Sequence, residues 1–279
     1  MKRSRASHIC VFALFLSVAT VVGAQAVPQS PRGPFRFEVT SVRPNKSGPG
    51  GVSMRRLPGS FTATNVTLRD LILFAYGIQR YKLLGMPGWA EQDRFDIDAR
   101  AGAEPIPQPP AGATVEQMMQ RTLLEDRFGL AVHFETREMP IYALVLARAD
   151  GRLGPQLKQS QTKCFAVTPS EQAPSGQTGC TSRSGNGFTS AVGFPMSSFP
   201  DYLAGQVQRG VVDRTGLTGT WDLELTFTPD GFAGQTPAPD TTGPSLFTAL
   251  QEQLGLKLEA TTGPVEVLVI DRAQLPTAN

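Results

Sequence analysis

Histidine is nearly missing from this chain. Two occur in 279 residues, and one of them, His8, lies among the first 26. With His133 alone left, neither an HExxH helix nor a Cys/His cluster can be built, so no metal site is expected. Nucleophile motifs are missing too. There is no GxSxG elbow, and no serine in a strained turn stands near His133 in sequence. Neither GxxxxGK[ST] nor GxGxxG follows a strand and opens a helix, so no nucleotide cofactor is expected. Dense Lys/Arg runs are absent, which excludes the electrostatic footprint of a nucleic-acid binder. Long apolar runs are absent except for one near the start.

That run, Ile9 to Val22, follows Lys2, Arg3 and Arg5 and precedes Ala24-Gln25-Ala26. A basic region, a short apolar stretch and a small-x-small site together read as a secretory signal peptide over residues 1–26. The alternative is an uncleaved N-terminal anchor. Removal would take away three basic residues and no acidic ones, moving the formal charge from +2 to about −1. The mature chain is expected to be exported, periplasmic or secreted, with no transmembrane segment. Cys10 would leave with the leader. Cys164 and Cys180 would remain, and an even pair in an exported chain reads as a disulfide. Closing a loop of about 15 residues contributes on the order of 3 kcal/mol in the chain-entropy view. Two free thiols, or half of a metal site, are the other readings.

What is present is an internal echo. At a displacement of about 126 residues, the second half of the chain falls on the first. Phe61-Thr62 aligns with Phe188-Thr189, and Arg94 to Asp98 aligns with Thr220 to Glu224. Thr122 to Leu130 aligns with Thr248 to Leu256, and Pro140 aligns with Pro264. The pattern predicts an α+β fold of two tandem pseudo-symmetric repeats, each roughly β-α-β-α-β-β with antiparallel hairpins. The divisions are residues 27–149 for the first half, 150–187 for a linker carrying the cysteine loop, and 188–279 for the second half.

Local signals place the elements. Phe35, Phe37 and Val39 alternate with polar residues as a half-buried strand does, and Pro44 to Gly51 reads as a turn. Thr67 and Asp70 open one helix and Thr114 and Gln117 another as capping boxes; Ser198 and Asp201 take that role in the second half. Gly77 and Gly210 end the first helix of each copy. Gly129 and Gly255 end the second in the left-handed C′ position, each followed by a leucine. Hairpins are expected next, Leu130–Thr136 with Ile141–Ala147 and Leu256–Ala260 with Val265–Ile270. In the first, Leu130, Val132 and Phe134 share a face and His133 points to the other, half exposed.

Two kinds of side chain could carry a function. Asp96 with Asp98, and Asp222 with Glu224, share strand faces at about 7 Å, a separation compatible with acid–base pairs. They also read as solvent-facing acids on amphipathic strands. Asp213 reads as a turn cap. Trp89 after Met86-Pro87-Gly88, with Tyr76 and Tyr81 before it, could line a ligand groove, although Trp89 could equally cover the core edge. Asn45-Lys46-Ser47 and Asn65-Val66-Thr67 match the glycosylation sequon.

Several runs together resemble a large acidobacterial secreted family of unknown function. They are Phe37 to Asn45, Gly85 to Trp89, Phe95-Asp96-Ile97, Leu124 to Phe128, Glu135 to Leu144, Val212 to Gly219 and Leu246 to Leu256. The resemblance spans nearly the whole mature chain. It implies a stand-alone exported protein. A similar domain behind BlaR-type membrane metallopeptidases implies a sensory or binding role outside the membrane. Each helix-Gly-Leu-strand unit also resembles the short N-terminal domain of secretins and TonB-dependent receptors, an interaction module. No catalytic residues come with the resemblance. The expected function is a non-catalytic binding or interaction module whose partner is an envelope protein or a small ligand. The alternative is a hydrolase using the paired carboxylates.

Overall fold

The computed structural model describes residues 34–48, 50–103, 106–162, 181–229 and 243–276. The chain separates into residues 1–34, almost all outside the described set, and residues 35–279, to which everything below refers. The proposed leader and both Cys164 and Cys180 lie outside the described residues.

The fold is α+β, with three four-stranded sheets. In the first sheet the order is β1 (Val39–Asn45), β5 (Arg94–Arg100), β3 (Ser60–Thr67), β2 (Ser53–Leu57), antiparallel throughout. In the second it is β7 (Leu157–Gln159), β11 (Thr220–Thr226), β9 (Phe188–Pro195), β8 (Thr181–Gly185), again antiparallel. The two orders correspond strand for strand. Residues 150–187, read from sequence as a linker, thus supply two strands of the second sheet. Alternation explains the inner strands. Phe95, Ile97 and Ala99 are buried on β5, and Trp221, Leu223 and Leu225 on β11.

The third sheet joins the halves. Its order is β10 (Val211–Asp213), β6 (Ala131–Leu146), β12 (Leu256–Arg272), β4 (Leu83–Leu84). Strands β6 and β12 pair antiparallel along almost their whole lengths. Strand β4, from the first half, lies parallel to β12, and β10, from the second, lies parallel to β6. The expected hairpins within Leu130–Ala147 and Leu256–Ile270 do not form. Each segment is one continuous strand that pairs with the other.

The reason is local. Arg137-Glu138-Met139 offers no residue suited to a tight turn. Gly263 is not left-handed; its α-carbon is packed so closely that a methyl there would sit 2.7 Å from Ile141 Cδ1. The prolines do not interrupt pairing either. The Tyr142 N–H donates outward to the Gly210 carbonyl at 2.8 Å, so Pro140, two residues back, points the same way. Its missing N–H therefore costs no rung with β12. Pro264, opposite Glu138, has the same parity.

Helix signals read well in the first half. Helix α1 (Leu68–Tyr76) opens on the Thr67–Asp70 capping box and closes on Gly77 at φ 64°. A single turn, α2 (Trp89–Gln92), follows β4. Helix α3 (Val115–Phe128) opens on the Thr114–Gln117 box and closes on Gly129 at φ 55°. In the second half, α4 (Phe199–Val207) departs from expectation. A 3-10 turn, Met196–Ser198, runs straight into it, so Ser198 has helical dihedrals and makes no cap. Gln208 at φ 48°, not Gly210, ends it. Gly210 instead lets the backbone approach Ile141. Helix α5 (Leu246–Ala249), capped by Ser245, continues as a π-helical turn, Leu250–Leu254, that ends on Gly255 at φ 70°.

Two main cores lie against the third sheet. The first gathers Leu68 and Ile72 of α1, Phe95 and Ile97 of β5, and Leu124 and Phe128 of α3; Leu268 and Ile270 of β12 close it. The second gathers Phe199, Leu203, Trp221, Leu223, Leu250 and Leu254, closed by Leu144 of β6. Each core thus takes side chains from the other half's long strand. A third cluster of Ile141, Val265 and Val267 lies at the centre of the long ladder. Among the described residues no helix is long and apolar enough to cross a membrane.

Gly129 and Gly255 hold equivalent caps but unequal surroundings. A methyl on Gly129 would meet the movable Gln274 side chain at 3.2 Å. On Gly255 it would meet the backbone of Gly154 at 2.5 Å and Leu153 at 2.8 Å. Chemical denaturation of Gly129→Ala should show a loss of about 1 kcal/mol, the left-handed penalty alone. Gly255→Ala should lose about 2–4 kcal/mol, because overpacking adds to that penalty. Equal losses would contradict the close approach.

Candidate functional site

Each pair of acids divides between a half-buried aspartate and an exposed neighbour. On β5, Asp96 is half buried, and its Oδ1 accepts from Asn65 N at 2.9 Å and from Asn45 Nδ2 at 2.7 Å. Asn65 stands at φ 58° where β3 shifts register against β5 between Ala63 and Val66. On β11, Asp222 Oδ1 accepts from Gly193 N at 2.8 Å, and Gly193 stands at φ 69° in β9. Each aspartate thus anchors a left-handed backbone position on the neighbouring strand, as a β-bulge requires. The reading of all four acids as solvent-facing is corrected for Asp96 and Asp222. Their partners Asp98 and Glu224 are exposed, and Asp98 meets Arg100 at 3.3 Å.

The bulge also explains Asn65. It is buried, and its Nδ2 donates to the Gly48 carbonyl at 2.9 Å and to that of Gly50. An amide so placed is closed to glycosylation despite the sequon. Asp213 caps its turn as expected, accepting from Thr215 N at 2.8 Å and from Thr215 Oγ1 at 2.7 Å.

Register decides another position. Phe61 lies opposite Ala99 on β5, whereas Phe188 lies opposite Thr226 on β11 and Thr189 opposite Leu225. Taking the 126-residue offset on β5 and β11, Phe61 corresponds to Thr189, not to Phe188. One residue reverses the face. Phe61 is 2% exposed, and Phe188 is 44% exposed.

Of the three aromatic candidates, Trp89 and Tyr76 pack against the first core and Tyr81 against the third cluster. Trp89 is half buried, packed against the first core with Met86, while Ala90 beside it is fully buried. Arg69 Nη1 holds Glu91 of the same turn at 2.9 Å. Gly85 permits this path, since a methyl there would sit 2.8 Å from the Ile270 carbonyl oxygen. Tyr81 packs on the third cluster, and burial pushes its phenol up, with Asp201 adding to the effect. Tyr76 also packs on the first core. Its ring meets Phe134 edge-on at 6.2 Å and lies under the Arg121 guanidinium at 4.4 Å. Burial raises its phenol as well.

Phe134 is a surface residue that the strand pattern does not mark. Alternation assigned it to the inner face with Val132, yet it is 50% exposed. The long strand outruns the core at that point. His133 is exposed, as expected. Its Nδ1 donates to Asp271 at 2.9 Å, and Glu135 lies 3.7 Å from Nε2. The Asp271 hydrogen bond holds His133 above its ordinary value. Among the described residues, no group of three or more His, Cys, Asp or Glu is placed to hold a metal.

Comparison with known proteins gives a family and no function. The family described as "Protein of unknown function (DUF3738)" matches residues 69–273, most of the chain, and the chain belongs to it. No curated protein and no solved structure matches.

The bulge reading separates the four acids. Asp96→Ala and Asp222→Ala should each lose about 2 kcal/mol in denaturant titration, the worth of hydrogen bonds to a charged group. Asp98→Ala and Glu224→Ala should stay within about 0.5 kcal/mol of the parent, as exposed substitutions do. A uniform response across the four would remove the distinction.

Proposed function

We propose that this family member is an exported, non-catalytic binding or interaction module that engages an envelope partner or small ligand. The observation that carries the reading is the placement of exposed apolar side chains on the outer strands of the flanking sheets. Val39 on β1 is 60% exposed, Leu57 at the end of β2 is 54% exposed, and Val52 just before β2 is 49% exposed. Phe188 opens β9 beside β8, whose five residues are all exposed. Outer strands with a single strand neighbour and apolar side chains suit addition of an extended partner segment. The hydrolase alternative is weakened because Asp96 and Asp222 are already committed to the bulges.

Export through residues 1–26 and a Cys164–Cys180 bond belong to the same reading. So does a sensory role. Among the sequence-derived aromatic candidates, Tyr76 has an exposed neighbour in Phe134, while Trp89 and Tyr81 contribute through the half-exposed parts of their rings.

Affinity capture from periplasmic extract should recover a partner with the parent chain and lose it with Val52→Lys/Leu57→Lys, at an unchanged melting temperature. Capture that survives the double substitution would move the contact elsewhere. Trp89→Ala should weaken capture without unfolding the chain; a lowered melting temperature would make Trp89 a core residue only. Intact-mass measurement of the exported protein without reductant should show a chain starting near Val27 and lacking two hydrogens, the mark of the disulfide.

A further inference from the structure

Charge is unevenly placed over this nearly neutral chain, which has 26 basic and 24 acidic residues. The outer hairpin of the first sheet, β2 with β3 (residues 52–67), holds Arg55 and Arg56 and no acid. The outer hairpin of the second sheet, β8 with β9 (residues 181–195), holds Arg183 and no acid. Strands β2 and β8 are the corresponding edges, and each carries an arginine at its middle, Arg55 within Ser53–Leu57 and Arg183 within Thr181–Gly185. Both are exposed. Among the described residues, neither meets a carboxylate at ion-pair distance.

Arg56, by contrast, is committed inward. Its guanidinium lies 3.5 Å above the Phe74 ring, and Nη2 donates to the Phe74 carbonyl at 3.1 Å. Met54, on the same side, packs on the first core. Strand alternation therefore leaves Ser53, Arg55 and Leu57 on the solvent face, and all three are exposed.

A central arginine decides what can pair at this edge. Antiparallel self-pairing centred on Arg55 would set it opposite the same residue of a second copy. Pairing of β2 with β8 would set it opposite Arg183. Like charges directly opposite one another destabilise a strand pair, and edge charges are a common guard against self-association. A second copy is thus disfavoured at β2, and an acid opposite Arg55 is favoured. The other edge of the sheet is less suited. The Thr40 carbonyl of β1 already accepts from Arg127 Nη1 at 3.2 Å, and Pro44 has no N–H to give.

We propose, on the basis of the strand addition inferred above, that β2 accepts an extended acidic segment of a partner protein. The segment runs antiparallel to β2, with a glutamate or aspartate opposite Arg55 and aliphatic residues opposite Val52 and Leu57. These two flank the arginine at 49% and 54% exposure, so an apolar contact closes each end of the charged pair. Pro58 and left-handed Gly59 turn the chain after Leu57, which limits the match to the stretch from Val52 to Leu57.

The probe is the peptide acetyl-Val-Thr-Glu-Val-Thr-Val-amide, titrated into the purified full chain and followed by backbone amide NMR. Shifts should concentrate at residues 52–57 and on β3. The same peptide with lysine in place of glutamate should bind roughly fivefold or more weakly, since the sign of the pair is reversed. That gap should shrink at about 0.5 M NaCl, where exposed charges are screened. Arg55→Glu should melt with the parent, having no internal ion pair to lose, and should prefer the lysine peptide. Equal binding of the two peptides at β2 would overturn the acidic assignment and leave strand addition standing. No shifts with either peptide at millimolar concentration would overturn both. Shifts confined to another strand would overturn the choice of β2, and a preference that fails to reverse in Arg55→Glu would remove Arg55 as the partner of the acid.

Discussion

The pairing of β6 with β12 is the constraint from which the remaining architecture follows. A ladder from Ala131–Leu146 to Leu256–Arg272 fixes the two helix-ending glycines at opposite ends of one ribbon. Each helix then packs back over the ribbon, and each core is closed by the far end of the partner strand. Leu268 and Ile270 complete the first core, and Leu144 completes the second. The short strands β4 and β10 reinforce the exchange, because each adds to the long strand contributed by the other half. Burial of apolar area, the main favourable term in folding, is therefore shared between the halves rather than completed in either.

The flanking sheets hang from this ribbon with a repeated device. A left-handed residue in β3 or β9 produces a bulge, and an aspartate on the adjacent strand accepts its N–H. Asparagine serves in one sheet and glycine in the other, the two residue types that tolerate that conformation best. The outer strands β1 and β2 of the first sheet carry two of the exposed apolar residues, Val39 and Leu57.

Much of this was legible in the sequence where a signal is local. Thr67 with Asp70 and Thr114 with Gln117 announce helix starts because a cap is satisfied within four residues. Gly129 and Gly255 announce helix ends for the same reason. The alternation in Arg94–Ala99 and Thr220–Thr228 marks the inner strands and their buried faces, to within one or two residues of their observed ends. What failed depends on distant partners. Whether Pro140 sits in a turn or inside a long strand turns on the position of Gly210, some seventy residues away. Phe61 and Phe188 look equivalent until the bulges set the register with β5 and β11. The acidic character of Asp96 was visible, but its hydrogen-bond partner Asn65 was not. The burial of Gln120 has no sequence signature, since a glutamine in an amphipathic helix reads as surface until the hairpin is seen to cover it.

The reciprocal exchange has a consequence for how the molecule would respond to a break in its backbone. A single cleavage between β7 and β8 would break the backbone and leave the ribbon, both short parallel strands and both cores in place. The resulting fragments would be held by the same interlocked surfaces as the intact protein, and neither could leave without stripping apolar side chains from the other's core. In this respect the two long strands form an interface that lies within a single chain.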